Sequence, residues 1–440
     1  MAFDKAVIDS LCVAVDTACS EFTNLGAQKY AAQATWRRVD EFNVDGGEFG
    51  LLRTTISDSL TVCAIKDKKY GTNSANKIDT QSVKKSVADC LESAMSSQED
   101  ENRDIAPCEG RREFCDGAAE CDREKLFFRI KELLSDIKEK HPKIIIEQMI
   151  ASHTKRESVY KNSSGSEFFC ESGEYTAEIM YSAHEGEVAT SFFCDAVILR
   201  TLDRPIIEMC EIDKNLSRVE SQLVSKPVEG KFSGVMILTP SCLADFLSDM
   251  YRNFLSDTAI LSGSSPWIDC LGKKVADERI SISALPGDER MVTPSRYTMV
   301  GDLQSDCKII ENGVLKTFVI SRYMANRSGY GRSSCDFSSI VMESSSDTSL
   351  DDIIAKTKRG ILVGRYSGGA TSSNGDFSGV AKNSFLIEDG RISYALSETM
   401  ISGNIAKMLK ELVGISRESI CDGTSSLPYA AFDNITVSGK

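Results

Sequence analysis

The sequence predicts a multi-domain α+β protein from its length, its composition and two kinds of hydrophobic periodicity. A chain of 440 residues is too long for one hydrophobic core. Its 41% hydrophobic and 26% charged residues are typical of globular proteins. Helical and strand-like patterns both recur. We expect an N-terminal α+β domain with an acidic linker (1–122), a central helix plus antiparallel sheet (123–226), and a larger β-rich C-terminal domain with flanking helices (227–440).

The N-terminal domain is predicted to begin with an amphipathic helix, followed by alternating strands around a glycine turn at residues 45–47. A second helix follows, in which Val83, Val87 and Leu91 lie one turn apart. The stretch 96–122 is polar and acidic and breaks both patterns. We therefore interpret it as a linker.

The central domain is predicted to open with a helix at Arg123 and to continue as an antiparallel sheet over 141–213. The helix has one apolar stripe, formed by Leu126, Ile130, Leu133, Leu134 and Ile137. Pro227 and two glycines at 226–234 indicate the boundary to the last domain.

The C-terminal domain is predicted to begin with the apolar strand GVMILTP, in which Thr239 caps a helix and Pro240 takes its first position. The helix is expected to continue to about Ile260.

Later signals in this domain mark turns and helix ends. Hairpin turns are predicted at 312–313 and 389–390, a capping box at 349–352 with a helix stop at Gly360, and a last helix over 404–415.

The histidines limit the possible metal chemistry. Only His141, His153 and His184 occur, and no two have the spacing of a helical metal-binding pair. His141 and His153 have no Cys, Asp or Glu at ligand spacing nearby in the sequence, and the 15 cysteines form no CxxC pair. We expect free buried thiols, no bound metal and no cofactor.

The charge and hydropathy of the chain exclude other classes. A net charge of −14 argues against nucleic-acid binding, because phosphate recognition needs a concentrated field of Lys and Arg. No apolar run approaches the length of a membrane span, and the first residues lack the basic and apolar regions of a secretion signal. We expect a cytoplasmic protein that binds neither nucleic acid nor membrane.

Polar loops on the C-terminal domain are the remaining candidates for a binding site. Their residues are Asn374, Gly375, Asp376, Phe377, Ser378 and Glu398. Loops on a rigid scaffold often carry function. Turns and helix caps explain such residues equally well.

The order of several segments resembles the TldD/PmbA family, also called modulators of DNA gyrase. These segments are YKNSSG (160–165), GVMILTP (234–240) before a long helix, LGKKVA (271–276), ENGVLKTFVISRYMANR (311–327), SNGDFSGVAKNSFLIEDGRISYALSETMISGNIAKMLKELVGI (373–415) and ITVSGK (435–440). The resemblance runs from about residue 40 to the end of the chain and is strongest after Gly230.

The resemblance implies a degenerate zinc site. TldD-like members carry HExxxH on the helix after the GVMILTP-like strand, where two histidines bind zinc and the glutamate acts as general base. Here the helix reads FLSDMYRN, which places Ser248, Asp249 and Asn253 at about those three positions. Cys421 lies in the region of the family's cysteine ligand, but one thiolate cannot hold zinc alone. The chain therefore resembles the PmbA/TldE-like branch, without catalytic residues or metal ligands.

This branch implies a metal-free, non-catalytic subunit of a metalloprotease assembly. A TldD-like zinc peptidase subunit would cleave unfolded peptides, and the polar loops would line the peptide path through backbone hydrogen bonds to an extended substrate. In isolation a homodimer is expected. Two alternatives stay open: a peptidase active in its own right through carboxylates such as Asp249 or Glu398, and a homodimeric peptide-binding protein. Whether the chain is an enzyme stays open with them.

Overall fold

Two β-sheets carry the helices in the computed structural model, which describes residues 3–439. The helices are α1 (Lys5–Asn24), α2 (Thr80–Ser96), α3 (Arg123–Lys140), α4 (Ile212–Ser221), α5 (Pro240–Met250), α6 (Asp257–Leu261), α7 (Arg322–Ser328), α8 (Leu350–Lys356) and α9 (Ile405–Met408). The first sheet comprises β1 (Lys29–Asp45), β2 (Glu48–Lys66), β3 (Lys69–Ala75), β4 (Arg111–Gly117), β5 (Ile144–Asn162), β6 (Glu167–Glu185), β7 (Val188–Ala189) and β8 (Phe193–Leu199). The second comprises β9 (Ser225–Lys226), β10 (Lys231–Leu238), β11 (Ser281–Ala284), β12 (Cys307–Glu311), β13 (Val314–Leu315), β14 (Ile340–Glu343), β15 (Arg359–Val363), β16 (Arg365–Gly368), β17 (Asp376–Lys382), β18 (Ser384–Glu388), β19 (Arg391–Leu396), β20 (Thr399–Asn404), β21 (Leu412–Cys421) and β22 (Ser425–Ser438). The predicted α+β class is confirmed.

Long antiparallel strands form the first sheet, in the order β3-β2-β1-β5-β6-β4. Alternate residues of β1 and β5 point to one face, and helices cover that face in two places. One apolar cluster joins α1 and α2 to the sheet, and a second joins α3 and α4 to it. Between the two clusters the same face carries polar residues, among them Asp40 of β1 directly opposite His153 of β5.

The stretch 96–122 is more than the linker predicted for it, because it contains β4, which pairs in parallel with β6. Most residues of β4 are exposed. Such an edge strand needs no apolar alternation, and the sequence pattern therefore gave no strand signal. The boundary predicted at residue 122 falls within the first sheet, because strands before and after it belong to that sheet. The boundary predicted at residue 227 falls directly after β9, the first strand of the second sheet. The division into three domains stays a prediction.

Strand β10 lies inside the second sheet, antiparallel to β22 and parallel to β15. Met236 and Leu238 face the large core cluster that includes α5, and Ile237 faces the cluster under α8. Burial on both faces explains the continuous apolar run of this segment. Thr239 caps α5 through its hydroxyl and Pro240 takes the first helical position, as predicted.

The predicted turn chemistry is confirmed. The residues at 312–313 and 389–390 all have positive φ, as tight type I′ hairpin turns require. The glycines at 46–47 also have positive φ between β1 and β2. The capping box at 349–352 is present at the start of α8. No helix within residues 3–439 is both long enough and apolar enough to cross a lipid bilayer.

Three helix boundaries in the second sheet's domain were wrong. Helix α8 ends at Lys356, and Gly360 instead lies within β15, where a Cβ atom would be 2.4 Å from the carbonyl oxygen of Val235. The segment 404–415 forms only the short α9 before β21 begins. The long helix predicted to Ile260 is interrupted, because it ends in a π-helical turn and an extended serine starts α6.

Candidate functional site

The helix that follows β10 ends in a widened turn. The segment Tyr251–Leu255 is π-helical, and the amide of Ser256 donates to the carbonyl of Tyr251, five residues earlier, at 3.0 Å. Residues five apart in a regular α-helix point about 140° apart, since each residue turns by about 100°. A π-helical turn holds more residues and brings such a pair closer to one side. Asn253 lies inside this widened turn, five residues after Ser248 of α5.

The side chains at the three degenerate positions do not fit a zinc ion. Ser248 is exposed and offers a hydroxyl. An oxygen of Asp249 lies 3.0 Å from a guanidinium nitrogen of Arg252. The side-chain amide of Asn253 donates to the hydroxyl of Thr371 at 2.6 Å. Zinc sites in proteins use thiolate, imidazole and carboxylate ligands, and here the single carboxylate already forms an ion pair.

A tight loop at 371–376 packs against the π-helical turn. The amide of Gly375 donates to the carbonyl of Ser372 at 2.8 Å, and the amide of Ile405 donates to the carbonyl of Gly375 at 2.9 Å. Gly375 has φ +90°, and a Cβ atom there would lie 2.6 Å from the ring of Phe254. Glycine is therefore required at this position by both conformation and space.

Side-chain hydrogen bonds fix the shape of the same loop. The Oδ1 atom of Asn374 accepts from the amide of Asp376 at 3.0 Å. The side-chain amide of Asn404 donates to Asp376 Oδ1 at 2.8 Å and to the carbonyl of Asn374 at 2.9 Å. Hydrogen bonds from Asn404 and Asn374 lower the pKa of Asp376 below its ordinary value. The loop thus presents a fixed, ionised carboxylate to solvent.

Beneath the loop, aromatic rings join β16 and β17 to α5. The ring of Phe377 meets that of Phe246 edge to face at 5.0 Å, and Tyr366 lies 5.3 Å from Phe246. Ser378, the neighbour of Phe377, is exposed. Phe377 is therefore a core residue, whereas Asn374, Asp376 and Ser378 face outward.

Two acids lie on the polar side of α5. Burial raises the pKa of Asp245, the nearby carboxylate of Asp249 adds to the rise, and Arg365 opposes it, although Asp245 retains contact with solvent. Within residues 3–439, no third Asp, Glu, His or Cys joins these two acids in a cluster with ligand atoms less than 4.8 Å apart.

Glu398 lies apart from the other candidate loop residues. It precedes β20, whose far end pairs with Asp376 through Asn404. At about 3.4 Å per residue, the six-residue strand separates Glu398 from that loop by about 20 Å. Glu398 instead lines a separate cavity of about 590 Å³ together with Asn383 and the β7 hairpin.

Cys421 and the histidines do not contribute to the degenerate site. The thiol of Cys421 points to the carbonyl of Arg290 at 3.8 Å, and burial raises its pKa. His141 contacts carboxylates on α4, and His184 lies in β6. His153 lies on β5 of the first sheet.

Sequence reasoning missed the residues that join the helix to the loop. Thr371 and Tyr366 belong to no recognisable pattern. Their contacts with Phe246 and Asn253 join segments more than a hundred residues apart, which hydrophobic periodicity does not reveal. The resemblance to the HExxxH motif pointed to this helix but not to the residues that pack against it.

Comparisons with known proteins agree with this architecture. Residues 233–439 match the family described as the PmbA/TldA metallopeptidase C-terminal domain. A zinc metalloprotease TldD homolog of Saccharolobus solfataricus is 27% identical over 276 residues, which are 59% of this chain and 61% of that protein. A metalloprotease PmbA homolog of Haemophilus influenzae is 24% identical over 226 residues, or 49% of this chain and 50% of that protein. The alignments thus span about half to three fifths of these relatives.

A solved structure extends the fold comparison to nearly the whole chain. The crystal structure of TldE from Thermococcus kodakarensis has a TM-score of 0.83, with 21% identity over 98% of this chain and 100% of that one. At this identity the likeness concerns the fold. With the family match, it confirms the resemblance predicted from the sequence.

Proposed function

The C-terminal domain of this chain belongs to the PmbA/TldD metallopeptidase family, and from that premise we propose that the chain is a non-catalytic PmbA/TldE-like subunit with no metal at its degenerate zinc positions. A TldD-like zinc peptidase would supply the catalytic metal of the assembly, and unfolded peptides would be its substrates. One observation carries the proposal: the end of α5 and the π-helical turn after it stand where HExxxH would lie, but the three side chains there are Ser248, Asp249 and Asn253.

The retained turn has a different use in this chain. Asn253 bonds to Thr371, and Phe254 packs on Gly375. Both contacts hold the polar loop on the helix. In a zinc peptidase of this family, the corresponding helix would hold the metal ligands. We infer that in this chain the helix instead forms one wall of the peptide path, and that Asp376 gives this wall a negative charge.

The edge of β16 offers a place for an extended peptide. Within the described residues β16 pairs with β17 alone, so its other edge has backbone groups free of strand partners. An extended peptide can add to such an edge through main-chain hydrogen bonds. The Nε atom of Arg365, on the same strand, is buried without a hydrogen-bond partner in residues 3–439. The path would run between this edge and the polar side of α5.

Reconstitution tests the proposed role. An unfolded, fluorescently labelled peptide is incubated with this chain, with a TldD-like zinc peptidase, and with both, each with and without a chelator. We expect chelator-sensitive cleavage only where the zinc peptidase is present, and faster cleavage with both chains. Cleavage by this chain alone would overturn the proposal. Hydrolysis is the readout because zinc bound elsewhere would not make the chain a peptidase.

The main alternative is a peptidase active through its own carboxylates. Its support is the raised pKa of Asp245 beside Asp249, since an acid titrating closer to neutrality suits proton transfer. Asp245→Asn and Asp249→Asn separate the two readings, with the exposed Asp269→Asn as matched control. A general acid or base contributes about 100-fold or more to the rate, so the alternative expects that loss when this chain is assayed alone. We expect no cleavage by this chain alone, and cleavage by the assembly that differs by no more than about twofold among the three variants.

The third reading is a homodimeric peptide-binding protein without a protease partner. We propose that the chain forms a homodimer in isolation, works in the cytoplasm and exchanges into a complex with the zinc peptidase. Mixing the two purified chains and measuring mass by light scattering tests the exchange. A persistent homodimer that binds unfolded peptide and never the peptidase would favour the third reading.

A further inference from the structure

Three side chains distant in sequence meet on the first sheet. Asp40 of β1 lies directly opposite His153 of β5, and Cys121 immediately precedes Asp122, the residue that caps α3. A carboxylate oxygen, an imidazole nitrogen and the thiol lie within 4.8 Å of one another. Within residues 3–439 this is the one group of at least three such side chains at that distance. We propose that Asp40, Cys121 and His153 bind a thiophilic transition-metal dication of the Zn²⁺ class.

A hydrogen bond fixes the tautomer of the imidazole. The Nε2 atom of His153 lies 2.7 Å from the carbonyl of Ala118 and must donate to it, which leaves the lone pair on Nδ1. Metal-binding histidines commonly donate their other ring N–H to a backbone carbonyl. Burial lowers the pKa of His153, although the bond to Ala118 opposes the shift. The ring is therefore neutral at pH 7, the form that binds metals.

The carboxylate has one acceptor position left. Asp40 Oδ1 accepts hydrogen bonds from Thr54 and Arg123, and Oδ2 accepts one from Arg38 at 3.0 Å. A carboxylate offers about two acceptor sites on each oxygen. One position therefore remains on Oδ2. The three donors hold the group in place, and it can supply one further bond.

The charges of the neighbours select the kind of ion. Arg38 and Arg123 already neutralise Asp40 and repel any added cation. Hard cations such as Mg²⁺ and Ca²⁺ need several oxygen ligands, and this site offers one. Zn²⁺ and Co²⁺ also bind imidazole and thiolate. The site therefore depends on the thiolate for both affinity and charge balance.

Metal binding would remove the proton of Cys121. Burial raises the pKa of this thiol to about 11, and Asp40 adds to the rise. The free thiol is therefore protonated at pH 7. On binding, the metal–sulfur bond forms and the thiol proton passes to solvent, so affinity should rise with pH. Three protein ligands leave a fourth position for water, which the half-buried Cys121 leaves accessible.

This site is independent of the proposed function. It lies on the first sheet, whereas the degenerate zinc positions lie at the end of α5 and in the π-helical turn after it. A metal here would hold α3 against β1 and β5, and neither outcome of the peptidase experiment affects it.

Titration with Co²⁺ tests the inference directly. The full-length chain is stripped with a chelator, kept reduced, and titrated with Co²⁺ alone while the thiolate-to-cobalt charge-transfer absorption is recorded. We expect one Co²⁺ per chain, displaced by Zn²⁺ and not by Mg²⁺. Cys115→Ser, which removes an exposed thiol from β4 of the same sheet, should behave like the wild type. Cys121→Ser should lose the charge-transfer band and about tenfold or more in affinity.

A second measurement needs no variant. Alkylation of the native chain is mapped by mass spectrometry with and without Zn²⁺, and Zn²⁺ should slow modification of Cys121 while leaving Cys115 unchanged. Absence of stoichiometric uptake would overturn the inference. An unchanged band in folded Cys121→Ser, or equal alkylation of Cys121 with and without Zn²⁺, would do the same.

Discussion

Gly375 is the position where the loop of the candidate site is most sensitive to a single added atom. Its φ is +90°, and a Cβ atom would lie 2.6 Å from Phe254 Cζ and 3.5 Å from the amide nitrogen of Ile405. Gly375→Ala therefore combines an unfavourable backbone conformation with a steric clash against a fully buried ring. Phe254 cannot move aside freely, because it also packs against Trp267, with the two ring centroids 4.8 Å apart.

The magnitude follows from these two terms. A non-glycine residue in a sparsely populated region of φ/ψ costs about 1–3 kcal/mol. Inserting an extra carbon into a packed core costs about 1–3 kcal/mol. Their sum is about 2–6 kcal/mol if the loop stays in place. If the loop shifts instead, it loses the bond between Asn253 and Thr371, which costs about 1 kcal/mol and exposes the π-helical turn.

Tryptophan fluorescence can follow this region alone. The chain has two tryptophans, Trp36 in the first sheet and Trp267 beside Phe254. In a Trp36→Phe background, denaturant unfolding reports on Trp267. We expect Gly375→Ala to lower the unfolding free energy of this transition by about 2–6 kcal/mol if the loop stays in place, and by at least about 1 kcal/mol if it shifts.

Gly369→Ala is the matched control from the same glycine-rich segment. Its added Cβ would meet nothing within 4 Å, and its φ is not in the positive region. The expected change is within about 0.5 kcal/mol. Equal effects of Gly369→Ala and Gly375→Ala, or a loss below about 1 kcal/mol for Gly375→Ala, would refute the packing of this loop on Phe254.

Further expectations concern pH, capping and the contact between loop and helix. Burial raises the pKa of Asp195 from 3.8 to about 6. The folded chain then binds this proton more tightly, and the unfolding free energy should fall by up to about 3 kcal/mol as pH rises from about 4 to about 6. Denaturant unfolding across that range should find the fall absent in Asp195→Asn. Ser349→Ala removes the cap of α8 and should lower the free energy of unfolding by about 1 kcal/mol, as measured by thermal unfolding. An unchanged free energy would contradict a stabilising role of the capping box. Thr371→Val leaves the Asn253 amide without its partner and should cost about 1 kcal/mol. In a double-mutant cycle with Asn253→Ala, additive losses would contradict that contact.

Local chemistry predicted the parts of the fold that neighbouring residues decide. The paired positive φ values at 312–313 and 389–390 follow from Asn-Gly and Asp-Gly between apolar strands. The strand at 231–238 was evident because burial on both faces leaves an unbroken apolar run. The turns are determined by residues next to one another in the sequence. The strand is determined by burial, which acts on every residue of the segment.

Elements decided by distant partners were missed. Strand β4 forms because β6 offers an open edge, and its own residues are mostly exposed. The long helix is interrupted after α5 where a serine caps the next helix and where Asn253 contacts the loop at 371–376, more than a hundred residues away. Gly360 looked like a helix stop but lies in β15, where the close approach of β10 requires glycine. Hydrophobic periodicity contains no information on such contacts.

The sequence predicted no metal at α5 and none at His153, and the two predictions rested on different observations. At α5 the expectation of no zinc rests on residue type: positions 248, 249 and 253 hold Ser, Asp and Asn, and no folding event turns an amide into an imidazole. For His153 it rested on spacing along the chain, and the register of long antiparallel strands overrides spacing. The pairing of β1 with β5 sets Asp40 opposite His153, and the start of α3 adds Cys121. A missing residue type therefore excludes a site, whereas a missing spacing excludes only a local one.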